Sequence, residues 1–244
     1  DFLNKNLIPV IPKKGSVGAS GDLAPLAHLA LSLIGEGEII YKSRRLSSFV
    51  ALRKAKIKPL RLRGREGLAL INGTQVMAAI SALNVIEAGR LLQLFDIASA
   101  LSLEAIQGSR KPFDADIHLL RPHKGQRIVA KNIWKLVQNS SIQKHHEFCG
   151  KVQDSYSFRC IPQVHGSSRD ACEFAKRIVE TELNAVTDNP LFFTTKKKWL
   201  SGGNFHGQII SIAMDLMAIA VAELGSISEQ RMEKLINPVL SDLP

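Results

Sequence analysis

From Gly67 to Gln107 the chain runs for 41 residues without a proline, and Ala, Leu, Ile and Val recur along the whole stretch. A second stretch, Phe205 to Ile236, is similar and almost wholly apolar between Ile209 and Leu224. Proline-free segments of this length fit long helices, since proline would break the backbone ladder and strands are far shorter. The first stretch fits one long helix or two joined near Gly89. A helix with so little polar surface is normally buried on most sides. The pattern therefore predicts a mainly α fold of long packed helices.

Shorter elements fill in around them. Leu23 to Ile34 reads as an apolar helix, and Gly35 to Ser48 alternates and turns like a small β-hairpin or loop. Gly108 to Gly125 is rich in Gly, Pro, Asp and His and reads as a loop. Gln126 to Asn139 resembles a helix, followed by a polar linker over Ser140 to Cys149. Gly166 to Val186 has apolar residues at helical spacing, stopped by Thr187-Asp188-Asn189-Pro190. Leu191 to Leu200 reads as extended. There is no internal repeat.

With 244 residues, 45% of them hydrophobic and 22% charged, the composition is that of a globular protein with a sizeable core. No window holds the roughly 18 uninterrupted apolar residues of a membrane span, and DFLNKNLIPV is not a secretory leader. No membrane partner is expected. A first residue of Asp1 suggests a processed, trimmed or excerpted chain. Cys149, Cys160 and Cys172 are odd in number and lack metal-ligand spacing, which suggests reduced thiols in a cytoplasmic protein with no metal site. The net charge is +10, concentrated in Lys42 to Arg65 and Lys196-Lys197-Lys198. Without interleaved aromatics these clusters read as a solvated basic face. A helical nucleic-acid-binding or scaffold module is the non-enzymatic alternative.

Four polar stretches interrupt the apolar pattern: Gly15 to Leu26 (GSVGASGDLAPL), Leu70 to Gln75, Gln153 to Cys160 and Ser201 to Gln208. Polar groups buried in a helical core cost a few kcal/mol each unless hydrogen-bonded, roughly 1–3 by mutational measures. Each stretch is thus a local cap or part of a shared site. The spacing of Gly15, Gly18 and Gly21 matches neither dinucleotide nor P-loop fingerprints, and Ser20 lacks the nucleophile-elbow context. Asp22 makes a good N-cap ahead of Leu23, and Pro25 is tolerated in a first turn.

Capping does not account for Ala19-Ser20-Gly21. When such a tripeptide bends sharply, the Gly21 nitrogen can attack the Ala19 carbonyl carbon and close a five-membered ring. Glycine is nearly required at the third position, because a β-carbon would obstruct the bend. Loss of water from the ring and from the Ser20 side chain leaves an exocyclic methylidene, an electrophile no standard side chain supplies. A nearby helix N-terminus would stabilise negative charge as that electrophile accepts electrons.

GSVGASGDLAPLAH resembles the motif of the aromatic amino-acid ammonia-lyases, which form a methylidene-imidazolone (MIO) group from Ala-Ser-Gly. GLALINGTQ, QDSYSFRCIPQVHG, ELNAVTDNPL, SGGNFHGQ and ISEQRMEKLINP resemble the same family in the same order, over nearly the whole chain. Tyr-Ser-x-Arg-Cys with Pro-Gln-Val, and IHLLRPHKGQ, are similar to the branch acting on histidine. The resemblance implies an ammonia-lyase/fumarase-like helical bundle. Residues 1–244 would form the central part of one domain, with the MIO loop at 15–26 and bundle helices at about 67–107 and 205–236.

By the same resemblance, Ala19, Ser20 and Gly21 form the MIO without a dissociable cofactor, and Asp22 assists the dehydration, a role compatible with capping. Asn72 resembles the asparagine beside the MIO and the substrate amine, although a cap also fits it. Tyr156 resembles the tyrosine contacting the MIO, Gln153 the glutamine orienting the substrate, and Arg159 the arginine gripping its carboxylate. A structural ion pair is the alternative for Arg159. Phe205 resembles the phenylalanine lining the pocket, where a core residue is the plain alternative. Asn204 and His206 read as packing neighbours, and Gln208 is given no role.

The activity implied is non-oxidative deamination of L-histidine to trans-urocanate. A phenylalanine or tyrosine ammonia-lyase, or an aminomutase, is the alternative within the family. Members are homotetramers whose active sites combine residues from three subunits. The family's catalytic-base tyrosine and a site glutamate belong to parts outside residues 1–244, so the isolated chain is expected to be inactive.

Overall fold

The computed structural model describes residues 1–145 and 152–241. In chain order the elements are β1 (Ile8–Pro9), α1 (Leu23–Ile34), β2 (Glu38–Tyr41), β3 (Arg44–Ser47), α2 (Ser48–Lys54), α3 (Glu66–Ile71), α4 (Gln75–Ala105), α5 (Ala115–Leu119), α6 (Lys124–Val137), α7 (Ser141–His145), α8 (Tyr156–Arg159), α9 (Ile161–Glu182), β4 (Leu191–Phe193), β5 (Lys198–Leu200), α10 (Gln208–Ile236) and α11 (Pro238–Ser241). The mainly α expectation is met. The chain divides into two compact units, one of residues 1–81 and 179–211, the other of residues 82–178 and 212–244.

In the first unit, the segment expected to turn does form a hairpin. β2 pairs antiparallel with β3, Ile39 facing Leu46, and β1 adds a third strand through Ile8 and Ile40. Lys42 and Ser43 turn the hairpin with φ of 50° and 60°, the positive values that match the twist of the flanking strands. Leu7, Ile39, Ala51, Leu52 and Ala55 close a small core beneath it. α1 has the limits read from the sequence, and Gly35 ends it in a left-handed conformation with its N–H on the Leu31 carbonyl. β4 and β5 pair as a second hairpin within the stretch read as extended.

In the second unit, Ala88 and Leu92 of α4, Cys172 and Ala175 of α9, and Ala213, Met217 and Leu224 of α10 form one cluster. Leu103, Phe113, Val129, Ile133, Phe158 and Ile161 belong to a second. α6 contributes Val129, Ile133 and Val137, a four-residue spacing that places all three on one face.

Several limits differ from those read from the sequence. The 67–107 stretch breaks at Asn72-Gly73-Thr74 and not near Gly89, which lies inside α4 with open space where a Cβ would sit. Gly108–Gly125 contains α5, capped by Asp114 accepting the Asp116 N–H at 3.0 Å, so it is more than a loop. α9 starts five residues before Gly166 and ends at Glu182, ahead of Thr187. α10 begins at Gln208, not Phe205, and α7 occupies the start of the expected linker. Cys149 lies outside the described residues. α10 is also less buried than its composition predicts: Ile209, Ile212 and Ile219 are at least half exposed.

Candidate active site

The Gly15–Asp22 loop is anchored at both ends within the first unit. Upstream of the tripeptide, the Gly18 carbonyl accepts the Gly207 N–H at 2.8 Å. Downstream, Asp22 donates its N–H to the Gly73 carbonyl at 2.7 Å. Gly21 has φ of +81°, and a Cβ there would lie 2.7 Å from both the nitrogen and the oxygen of Gly73. The third position of the tripeptide therefore has a left-handed backbone that only glycine fits. Between the anchors, Ala19 and Ser20 are exposed.

Asp22 is fully buried, and its carboxylate does not cap α1. It accepts the Met77 N–H at 2.8 Å and the Ser16 hydroxyl. Asp22 does stand at the N-cap position of α1, with its carbonyl accepting the Leu26 N–H at 3.0 Å, but its side chain caps another helix. Met77 lies in the first turn of α4, where backbone donors have no partner inside the helix. The carboxylate serves that turn and sits at the positive end of its dipole. Thr187 Oγ1 accepts the neighbouring Thr74 N–H at 3.4 Å.

Asn72 is buried between α3 and α4, and its Nδ2 donates to Asp188 Oδ1 and to the Asn189 carbonyl, both at 3.1 Å. The other Asp188 oxygen meets the Arg65 guanidinium at 3.2 Å. Arg65 also donates to the Pro190 carbonyl and lies 4.8 Å over the Trp199 ring. The Asp188-Asn189-Pro190 stretch, read as a helix stop, thus holds Asn72 in place. Phe205 is half-buried two residues before Gly207, on the segment bonded to Gly18. Asn204 donates to the Val186 carbonyl at 3.2 Å, and His206 Nδ1 accepts the Gln208 N–H at 3.2 Å. Both are exposed, and each makes a hydrogen bond close to the start of α10 or to the end of the preceding loop.

The first unit thus gathers Ala19, Ser20, Gly21, Asp22, Asn72 and Phe205. Gln153, Tyr156 and Arg159 are gathered in the second. There the Arg159 guanidinium donates to Gln153 Oε1 at 2.8 Å and lies 4.5 Å over the Tyr156 ring. Gln153 and Tyr156 are thus partners of Arg159 among the described residues, and a guanidinium so placed has further planar N–H donors suited to a carboxylate. Tyr156 is 71% exposed and lines a cleft of about 440 Å³ with Ser157, Cys160, Val164, Glu223 and Gln230. A larger cavity of about 720 Å³ beside Phe113, His118 and Trp134 contains none of the expected site residues.

Beneath the Tyr156–Arg159 turn lies a polar network that the sequence pattern did not single out. Arg231 is 2% exposed and points Nη1 toward the Ser157 carbonyl at 3.5 Å. Burial pushes its guanidinium down to about 10. Asp96 meets His165 Nδ1 at 3.1 Å, Arg169 at 2.8 Å and Asn132 at 2.8 Å. Burial lowers the His165 pKa, the Asp96 hydrogen bond opposes that shift, and the Arg231 charge adds to it. The available signal was the lone acid inside an otherwise apolar stretch of α4. Met77 was also missed, because a methionine in an apolar helix reads as plain packing.

The profile of the aromatic amino acid lyase family matches residues 1–244. A histidine ammonia-lyase from Myxococcus xanthus is 51% identical over 244 residues, covering all of this chain and 48% of the relative. The structure of a histidine ammonia-lyase from Trypanosoma cruzi superposes with a TM-score of 0.89 at 44% identity, over all of this chain and 45% of that one. A phenylalanine aminomutase from Pantoea agglomerans superposes with a TM-score of 0.92 at 36% identity, over all of this chain and 50% of that one. The chain spans about half the length of the curated relatives it matches. The ordered set of motifs, the bent Ala-Ser-Gly loop and the match along the whole sequence agree, and the chain belongs to the aromatic amino acid lyase family.

Proposed function

We propose that this chain is part of an enzyme that eliminates ammonia from L-histidine to give trans-urocanate, using an MIO formed from Ala19, Ser20 and Gly21. The observation that carries the reading is Gly21, held at positive φ against the Gly73 backbone beside a buried carboxylate. The family is MIO-dependent in general, and the group supplies an electrophile that makes a poor leaving group or a barely acidic proton tractable. The identity of about half the residues with histidine ammonia-lyases supports the choice of histidine.

In this reading Arg159 binds the substrate carboxylate through its paired N–H donors. Gln153, already bonded to Arg159, fixes the direction of that fork. Tyr156 presents its hydroxyl from an exposed position, and Asn72, fixed by Asp188 and Asn189, orients the substrate amine. Phe205, half-buried on the segment bonded to Gly18, would supply an apolar wall. Asp22 accepts hydrogen bonds beside the tripeptide as it dehydrates. The enzyme would be a cytoplasmic homotetramer with active sites composed from three subunits, in keeping with the uncovered apolar residues of α4 and α10.

Two measurements test this. MIO formation removes two waters, so the intact mass should fall about 36 Da below the sequence mass. For turnover, residues 1–244 replace the matched region of the Myxococcus xanthus relative, and histidine, phenylalanine and tyrosine are offered in turn. Urocanate formed from histidine in preference to the other two is expected. A β-amino acid product would favour the aminomutase reading, which has the support of a 40% identical tyrosine aminomutase from Streptomyces globisporus. Turnover of none of the three, with an unmodified tripeptide, would refute the proposal.

A further inference from the structure

We infer that Met77 is a positioning residue for closure of the Ala19-Ser20-Gly21 ring, gripping both flanks of the tripeptide at once; the inference rests on the reading above that the ring forms. Its backbone N–H holds Asp22, the residue after the tripeptide, at 2.8 Å. Its side chain packs against Gly18, the residue before the tripeptide, and against Gly207, whose N–H holds the Gly18 carbonyl. A Cβ at Gly207 would lie 2.5 Å from Met77 Sδ and 2.8 Å from Cε, and one at Gly18 would lie 3.1 Å from Sδ. The thioether therefore fills the space that these two glycines leave open. An unbranched, polarisable side chain suits so irregular a gap.

The chemistry explains why both flanks must be held. Ring closure joins Gly21 N to Ala19 C, atoms that an extended backbone keeps apart. One water leaves with the Ala19 oxygen and the amide hydrogens of Gly21 and Ser20. The second leaves with Ser20 Oγ and its hydrogen together with the Ser20 α-hydrogen, giving the methylidene. No oxidant or further reactant is needed. A tripeptide tethered at one end samples many shapes. Tethered at both ends against one helix turn, it stays close to the reactive bend, and such pre-orientation accelerates intramolecular reactions strongly. Any residue but proline at 77 could supply the N–H, so the side chain is what experiment can isolate.

The test follows the approximately 36 Da mass loss with time after synthesis, in residues 1–244 carried within the Myxococcus xanthus relative in place of its matched region. Met77→Ala removes the thioether and Gly207→Ala displaces it. Each should slow closure by about tenfold or more, the scale of one misplaced contact in an oriented reaction. In the double variant the new Cβ occupies the vacated space, so closure should be no slower than in Met77→Ala alone. Met77→Leu conserves volume and should restore closure to within about twofold of the parent. That rescue separates positioning from a general loss of folding. A parent protein that keeps its full sequence mass would overturn the proposed function itself. Closure at the parent rate in both single variants, or fully multiplicative effects in the double variant, would overturn only the role of Met77.

Discussion

The Asp22 carboxylate accepts the backbone N–H of Met77 at 2.8 Å, so a residue 55 positions away along the chain is capped by the acid that follows the Ala-Ser-Gly tripeptide. Asp22 precedes α1 and looks like its cap, yet no side-chain bond to α1 forms. The donor it satisfies belongs to the first turn of α4, and Ser16 supplies its second bond.

Replacing this acid should therefore cost more than an exposed cap. Asp22→Ala removes a fully buried acceptor and leaves the Met77 N–H without its partner, worth about 1–3 kcal/mol, while the exposed Ser16 hydroxyl can turn to water. Asp22→Asn keeps one acceptor oxygen and should lose less. Urea unfolding of the two variants beside the parent checks the order, and equal midpoints for all three would refute it.

How much of this was legible in the sequence follows from where the determining contacts lie. α1 and the β2–β3 hairpin are set by neighbours, since apolar spacing, Gly35 and a tight turn act within a few residues. The limits of α1 and the place of the hairpin were readable. The break at Asn72-Gly73-Thr74 was not, because it is stabilised by Asp188, Asn189 and Thr187 more than a hundred positions away. Gly89 looked like the natural break, but one glycine in a long helix costs only about 1 kcal/mol, which packing offsets. The tripeptide was readable because its chemistry is local. Met77 and Arg231 were not, since a methionine or an arginine gains its role only from what tertiary packing sets against it. The apolar run of α10 predicted burial, and this chain by itself leaves one face uncovered.

Acid should destabilise the fold through its buried imidazoles. Burial is the main cause lowering the His165 pKa, outweighing the Asp96 hydrogen bond. His118 is also lowered by burial first, against its bond to the Pro112 carbonyl. Well above the ordinary histidine pKa of about 6.5 both are neutral folded and unfolded, so neither makes stability depend on pH. Below that, the unfolded chain takes up protons that the folded chain refuses. Stability then falls by up to about 1.4 kcal/mol per pH unit per histidine until the folded imidazoles protonate. His165→Gln, which can still bond Asp96, should flatten part of the decline in urea midpoint between pH 7 and pH 5. An unchanged slope would show that His165 carries none of it.

Arg65 and Asn72 share Asp188, one on each carboxylate oxygen. Arg65→Lys retains the charge but loses the planar fork, the bond to the Pro190 carbonyl and the stacking on Trp199. The site is partly solvated, so the loss should be about 1 kcal/mol and not more. A cycle with Asp188→Asn should show coupling of about 0.5–1 kcal/mol, because the two residues act as one support for Asn72. Additive effects would mean that Arg65 braces the β4–β5 hairpin alone.

The long helices carry apolar faces that this chain does not cover. On α4, Leu83, Ile86, Leu94, Ile97 and Leu101 are each 46–67% exposed, and on α10 so are Ile209, Ile212 and Ile219, at 50–65%. With Leu216, the α10 positions are spaced 3, 4 and 3, the interval that keeps a side-chain row on one helix face. A row of this kind is worth about 1.5–3 kcal/mol per large residue when covered, and it is a liability when left in water. Ile97→Glu or Ile212→Glu should therefore change the folding stability of a single chain by no more than about 0.5 kcal/mol, since each side chain already faces solvent there. The same substitutions should abolish assembly, because the new carboxylate would be buried without a partner at every copy of the interface. Sedimentation velocity checks this in the Myxococcus xanthus relative carrying residues 1–244. The parent should sediment as a tetramer and the variants as smaller species with unchanged helical circular dichroism. A tetramer that survives both substitutions would mean that these rows are not what the subunits bury.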